Sequence, residues 1–199
     1  MTGSFLTKLP CLYRATMKRI ARASLAAMLL WALCFSVAYV LTDDTPQRAL
    51  RSTPVATPFP VHEAFGKSRG EVFGAILSTN SQVIAWNLAG VATFGVSTVS
   101  NLAINGLVLG GFLKMQVLQG ASPPFLLRYT LPHSLEFIGV WLSGGIGLSA
   151  AWLVFRWLCG KPSLDRASAL SLLMSAVASA VIIIVAAWLE VFVTLRDVL

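Results

Sequence analysis

Leu131 to Phe155, LPHSLEFIGVWLSGGIGLSAAWLVF, is the stretch whose reading decides how this chain folds. After Pro132-His133-Ser134-Leu135-Glu136 it runs uncharged for nineteen residues, Phe137 to Phe155, about the length an α-helix needs to cross a bilayer. Proline suits the first turn of a helix, where its missing N–H has no partner to lose. Pro132 is therefore predicted to open the helix, with His133 and Glu136 three apart on one face. A histidine and a carboxylate then stand at the mouth of a membrane span. Gly139, Ser143, Gly147 and Ala151 place a small residue every four positions along the same helix, which reads as a packing stripe.

Composition agrees with that span. The chain has 199 residues, 56% hydrophobic and only 12% charged, too little polar surface to cover a soluble globule. It reads as an integral membrane protein, an all-α polytopic bundle. The net charge of +7 lies largely beside apolar runs, where it reports orientation and contact with lipid; nucleic acid is not an expected partner. Cys11, Cys34 and Cys159 are isolated and match no ligand spacing, so they point to neither a metal site nor a disulfide framework, and no cofactor is expected. The nine prolines fall outside the apolar runs or at their edges, which supports the same boundaries.

Outward from the quoted stretch, the rest of the chain divides readily. Residues 1–22 carry five basic side chains and no acid, with apolar residues at helical spacing, and read as a basic amphipathic segment on the cytoplasmic face. Residues 23–41 form a first uncharged span that ends at Asp43 and Asp44. Residues 42–71, with four prolines, read as an extracytoplasmic linker with a short helix at its end. Val72 to Leu113 is uncharged for forty-two residues, enough for two spans, predicted as a helix over about 75–97, a turn near Ser100-Asn101 and a helix over about 102–118. Gly106 and Gly110 there let helices approach closely. Gln119 to Thr130 is predicted to be a loop, and Ala167 to Leu189 a last span ending at Glu190. The expected sum is five transmembrane helices with a four-helix core over 72–195 and a cytoplasmic N-terminus. Lys and Arg split eight inside and seven outside whether 72–113 crosses once or twice, so charge counting does not choose.

The last two spans are antiparallel, so the start of one and the end of the other share a membrane face. Measured from Pro132 and Arg196, Glu136 and Glu190 would lie about 6 Å and about 9 Å deep, at a similar level where they can meet. A carboxylate in hydrocarbon normally faces a bundle interior and finds a partner. His133, Asn80, Asn87 and Asn105 are the available ones. Three readings stand open for this cluster: a structural tie between helix ends, a proton relay or partner-docking site, and a metal site.

Asn80, Gly95, Asn105-Gly106, Pro132-His133-Ser134-Leu135-Glu136 and Ala186-Ala187-Trp188-Leu189-Glu190-Val191-Phe192-Val193-Thr194 together resemble the stage II sporulation protein M family of membrane proteins. The family pattern is an Asn in the second span, an Asn-Gly in the third, a Pro-His-Gly-x-x-Glu-like opening of the fourth and an Ala-rich last span ending in Glu with a nearby Thr. The match runs over about residues 74 to 194. Ser134 stands where Gly is usual, and Arg196-Asp197 follow where a Pro is common, which touches the packing at the helix start and leaves His133 and Glu136 in place. The resemblance implies a multi-span protein with no established catalytic activity, working in spore formers with peptidoglycan-degrading partners. Relatives lie in envelope gene clusters or accompany circular bacteriocin production and immunity.

The expectation is thus a non-enzymatic scaffold or subunit of a cell-envelope complex in the bacterial cytoplasmic membrane. Its partners would be the lipid bilayer and other membrane or envelope proteins, and a homo-oligomer is compatible with the small-residue faces. The alternative is a transport- or bacteriocin-immunity-linked component using an intramembrane Glu pair. No Gly-x-Ser-x-Gly or His-Glu-x-x-His motif supports an intramembrane hydrolase.

Overall fold

The computed structural model describes residues 3–42, 68–161 and 165–194. In chain order it holds α1 (Gly3–Leu41), α2 (Arg69–Leu88), a 3₁₀ turn (Ala89–Val91), α3 (Val96–Leu118), α4 (Pro123–Leu158), α5 (Arg166–Leu189) and a π-helical turn (Glu190–Thr194). No strand occurs among the described residues. Four helical stretches are long and apolar enough to cross a membrane: Tyr13–Leu41, Val96–Leu118, Ser134–Leu158 and Arg166–Val193. The five expected spans differ from this at α2, which is twenty residues long but carries Arg69, Glu71, Asn80, Gln82 and Asn87.

α1 and α3 run parallel and make the most extensive packing in the molecule. Ala27 meets Leu102 in a common apolar cluster, Gly106 abuts Trp31 and Cys34, and Gly110 abuts the Phe35 carbonyl. Lys114 then caps the seam, its Nζ 5.3 Å from the ring centroid of Tyr39. A Cβ at Gly106 or Gly110 would run into the α1 backbone, so these two glycines set the interhelical distance. α4 approaches α1 in the same way, with Gly144 on Ala27 and Gly145 on Ser24. The first span is therefore built into the bundle.

α2 and α4 also run parallel, in the opposite sense to α1, α3 and α5. One end of the bundle gathers the start of α1, the α2–α3 turn and the α4–α5 connection. The other gathers the end of α1, the start of α2, the α3–α4 turn and the end of α5. The outer faces are apolar, with Leu25, Leu29, Leu33, Leu173, Val177 and Ile184 all exposed. Such a girdle suits lipid, since a bundle in water would bury it.

Four sequence expectations need correction. Residues 3–22 are not a separate surface helix but the first turns of α1: Ile20 is buried, and Thr16 shares a 3.0 Å hydroxyl–hydroxyl hydrogen bond with Ser168 of α5. The turn predicted near Ser100-Asn101 lies at 89–95, where Phe94 and Gly95 adopt φ of 53° and 92°. Glycine is the residue that reaches such a φ without strain, so Gly95 and not an Asn reverses the chain. The predicted loop Gln119–Thr130 shrinks to 119–122, because Ser122 and the two following prolines form the helix start. Pro132 consequently sits inside α4, where it leaves the Arg128 carbonyl without its usual N–H. Of the predicted linker, residues 43–67 lie outside the described ones. Its last residues open α2 through a capping box, with the Ser68 N–H donating to the Glu71 carboxylate at 2.6 Å and the Glu71 N–H to Ser68 Oγ at 3.3 Å.

Candidate functional site

Of the six polar residues expected to form one cluster, Asn80, Asn87, Asn105 and Glu136 lie between α2, α3 and α4. Asn87 of α2 is wholly buried and donates through Nδ2 to the Val140 carbonyl at 3.1 Å and to Ser143 Oγ at 2.8 Å, both on α4. Its Oδ1 accepts from Asn101 Nδ2 of α3 at 2.8 Å. Asn101 also donates to the Val83 carbonyl at 3.0 Å, and Asn105 donates to Asn101 at both its carbonyl and its Oδ1. Thr98 Oγ1 donates to the Asn87 carbonyl at 2.7 Å. Three helices are thus stitched by one ladder in which each amide serves its neighbour.

Such density of buried amides needs close helices. Gly147 allows it: a Cβ there would strike the Asn87 carbonyl and Thr98 Oγ1. Gly90 likewise makes room for Thr98. The stripe Gly139, Ser143, Gly147, Ala151 is not a single interface. Gly139 faces α5, where Ile183 packs on it and Ser179 Oγ donates to its carbonyl at 2.8 Å; Ser143 and Gly147 face α2; Ala151 faces the Gly95 turn. A four-residue step in a 3.6-residue helix rotates each member by about 40°, which carries the stripe around α4.

Two turns below the ladder, Asn80 Nδ2 of α2 donates to Glu136 Oε1 of α4 at 2.7 Å. Glu136 is 7% exposed and belongs to the spanning stretch Ser134–Leu158. Both side chains line a cavity of about 470 Å³ bounded also by Asn105, Val108, Phe112 and Phe137. An aromatic cluster closes it towards α1, with Trp31 4.9 Å from Phe137 and 5.6 Å from Trp141 between ring centroids. A carboxylate on the wall of a largely apolar chamber can accept hydrogen bonds from a group that enters it.

Glu190 lies elsewhere. It begins the π-helical turn, and its neighbour Val191 packs on Val72 of α2, eight residues before Asn80. That separation is about 12 Å along α2. Glu136 and Glu190 share an end of the bundle but not a level, because α4 starts nine residues before Pro132 and Glu136 is correspondingly deeper. The side chain of His133 lies outside the described ones. No group of three or more His, Cys, Asp or Glu that could hold a metal occurs among the described residues. Asn101, read from sequence as a turn former, is the centre of the ladder; its spacing of four from Asn105 on one helix face was the available signal.

Comparison with known proteins returns the same family as the residue pattern. The Stage II sporulation protein M family matches residues 23–195, so the match takes in residues 23–41 of α1 as well as the 74–194 region. A protein of Methanocaldococcus jannaschii, described only as uncharacterized, is 30% identical over 125 residues, covering 61% of this chain and 70% of its own length. No solved structure matches the chain.

Proposed function

The chain belongs to the Stage II sporulation protein M family, and on that premise we propose that it is a non-enzymatic multi-span subunit that positions partners of a cell-envelope complex. The observation that supports this reading is the Asn105–Asn101–Asn87–Ser143 ladder. Its amides are spent on one another and on the backbone, which is what a rigid support requires and what a catalytic site, needing groups left for substrate, does not. The subunit lies in the cytoplasmic membrane with its N-terminus inside. The end formed by α1 and the α4–α5 connection carries Arg14, Lys18, Arg19, Arg22, Arg156, Lys161 and Arg166 and with Lys8 holds eight of the fifteen Lys and Arg, a slight excess in the sense of the positive-inside rule. Its partners are envelope proteins, including those that remodel peptidoglycan, and α2 completes a fifth crossing.

The experiment is cross-linking and purification from native membranes at native expression. Wild type should carry envelope-remodelling proteins with it, and Asn87→Leu should lose assembly and those partners together. Loss of the ladder with undiminished partner recovery would argue against the support role.

The cavity favours a second reading, a transport-linked component in which Glu136 passes a proton or binds a cationic group. Proteoliposomes separate the two: flux through wild type that Glu136→Gln abolishes in a folded protein would select transport. A flat trace from folded wild type would remove it.

A further inference from the structure

The chamber beside Glu136 has a chemical bias that the helix ladder does not explain. Five polar side chains line it: Thr79 and Asn80 of α2, Asn105 of α3, and Thr130 and Glu136 of α4. Their donors are largely engaged within the protein. Thr79 Oγ1 donates to the Ala75 carbonyl at 3.1 Å, and Thr130 Oγ1 to the Leu126 carbonyl at 2.9 Å. Asn105 Nδ2 gives bonds of 2.8 and 3.0 Å to Asn101, and Asn80 Nδ2 gives one of 2.7 Å to Glu136. Because those partners are oxygens, the bonds fix which end of each amide is nitrogen. Glu136 is also bonded within the protein, yet a carboxylate has about four acceptor positions and keeps capacity for more. One N–H of Asn80 and the Trp31 indole apart, the wall can offer an occupant only acceptor oxygens.

The surroundings narrow the occupant further. Trp31, Phe112 and Phe137 bring aromatic rings to the same chamber, and the remaining lining is aliphatic. Its volume of about 470 Å³ falls within the range of about 300–1,000 Å³ typical of small-molecule sites. Thr79 on α2 and Val108 on α3 are exposed, so the mouth lies between these two helices. Val108 sits in the middle of the spanning stretch Val96–Leu118, which turns that mouth towards the bilayer.

We infer that the chamber binds a membrane-dissolved amphiphile with a primary ammonium head and a hydrocarbon tail. An ammonium has three donors and no acceptor, the complement of such a wall. Its charge answers the Glu136 carboxylate and gains from aromatic ring faces. A carboxylate or phosphate head would meet oxygen against oxygen. This deepens the transport-linked reading, on which it rests for the part played by Glu136, but it requires no movement of the ligand across the membrane.

The test uses the purified full chain in detergent with four probes that share one tail: dodecylamine, dodecyltrimethylammonium, dodecanol and dodecanoate. Native mass spectrometry reads retained probe and thermal unfolding reads stabilisation. Dodecylamine should be retained and raise the unfolding temperature. Dodecyltrimethylammonium has the charge without the N–H donors and dodecanol a donor without the charge, so each should do less, and dodecanoate should do nothing. Glu136→Gln should weaken dodecylamine retention by at least about tenfold, the loss expected for a hydrogen bond to a charged group. Val108→Trp should block the mouth without altering a polar group, and it decides the matter if Glu136→Gln does not fold. Val181→Trp, on the exposed face of α5, should retain dodecylamine as wild type does. Retained dodecylamine beside a flat flux trace in proteoliposomes would remove transport and support the site. No preference for dodecylamine over the other three probes, or unchanged retention in folded Glu136→Gln or folded Val108→Trp, would overturn it.

Discussion

Asn80 and Glu136 come from helices that run parallel, and the 2.7 Å bond between them ties α2 to α4 at the wall of the cavity, two turns below the bond from Asn87 to Ser143. The pair combines an amide that can only donate from its nitrogen with a carboxylate that accepts, so the consequences of changing either are directional. Glu136→Gln keeps an acceptor oxygen in place and should unfold in detergent within about 1 kcal/mol of wild type. Glu136→Leu strands the Asn80 amide in an apolar setting and should cost about 1–3 kcal/mol. Thermal or denaturant unfolding of both variants checks the order, and Leu matching Gln would contradict it.

The ladder predicts strong coupling. Asn87→Leu removes two donations to α4 and the acceptor for Asn101, and at about 0.6 kcal/mol per interhelical bond in a membrane it should destabilise by about 2 kcal/mol. Asn101→Leu removes the shared bond as well, so the double variant should lose less than the sum of the singles. A double-mutant cycle in one detergent measures this. Additivity would mean that the bond contributes nothing.

At the α1–α3 seam, Gly110→Leu forces a side chain into the Phe35 carbonyl and should separate the two helices, giving a protein that aggregates on size-exclusion chromatography. Leu107→Val, one turn away on the exposed face of α3, should elute as wild type. Equal behaviour of the two variants would refute the close approach.

Orientation can be read from a native side chain. Cys159 is exposed at the basic end, just past the end of α4. In a Cys11→Ser, Cys34→Ser background, a membrane-impermeant maleimide should label Cys159 in inverted vesicles and not in intact cells. Labelling of intact cells would place the N-terminus outside.

Much of this architecture was legible in the sequence, because an uncharged run of twenty residues has few physical alternatives. Asn80, Asn87 and Asn105 stood out for a related reason: a side-chain amide inside an apolar run must find a partner. The errors came where local rules yielded to packing. Pro132 obeyed the helix-start rule in isolation, but Pro123 and Pro124 obeyed it better, and the missing bond at Pro132 is tolerated within a long packed helix. The depth of Glu136 was misjudged as a direct result. The turn was placed at Ser100-Asn101 because Asn favours turns, whereas Gly95 carries the positive φ and Asn101 is held by partners distant in sequence. No periodicity names the partner of a glycine pair, so α1 was not foreseen as the helix that Gly106 and Gly110 receive.

That glycine seam orders the events of biogenesis. α1 leaves the ribosome before α3, yet the concave surface that accepts Trp31, Cys34 and Phe35 belongs to α3, which is synthesised only after α2 has followed. The newborn first helix must therefore dwell beside the insertion machinery or in open lipid until its groove is made, and a chain arrested before Leu118 would present an unclasped α1 to membrane quality control.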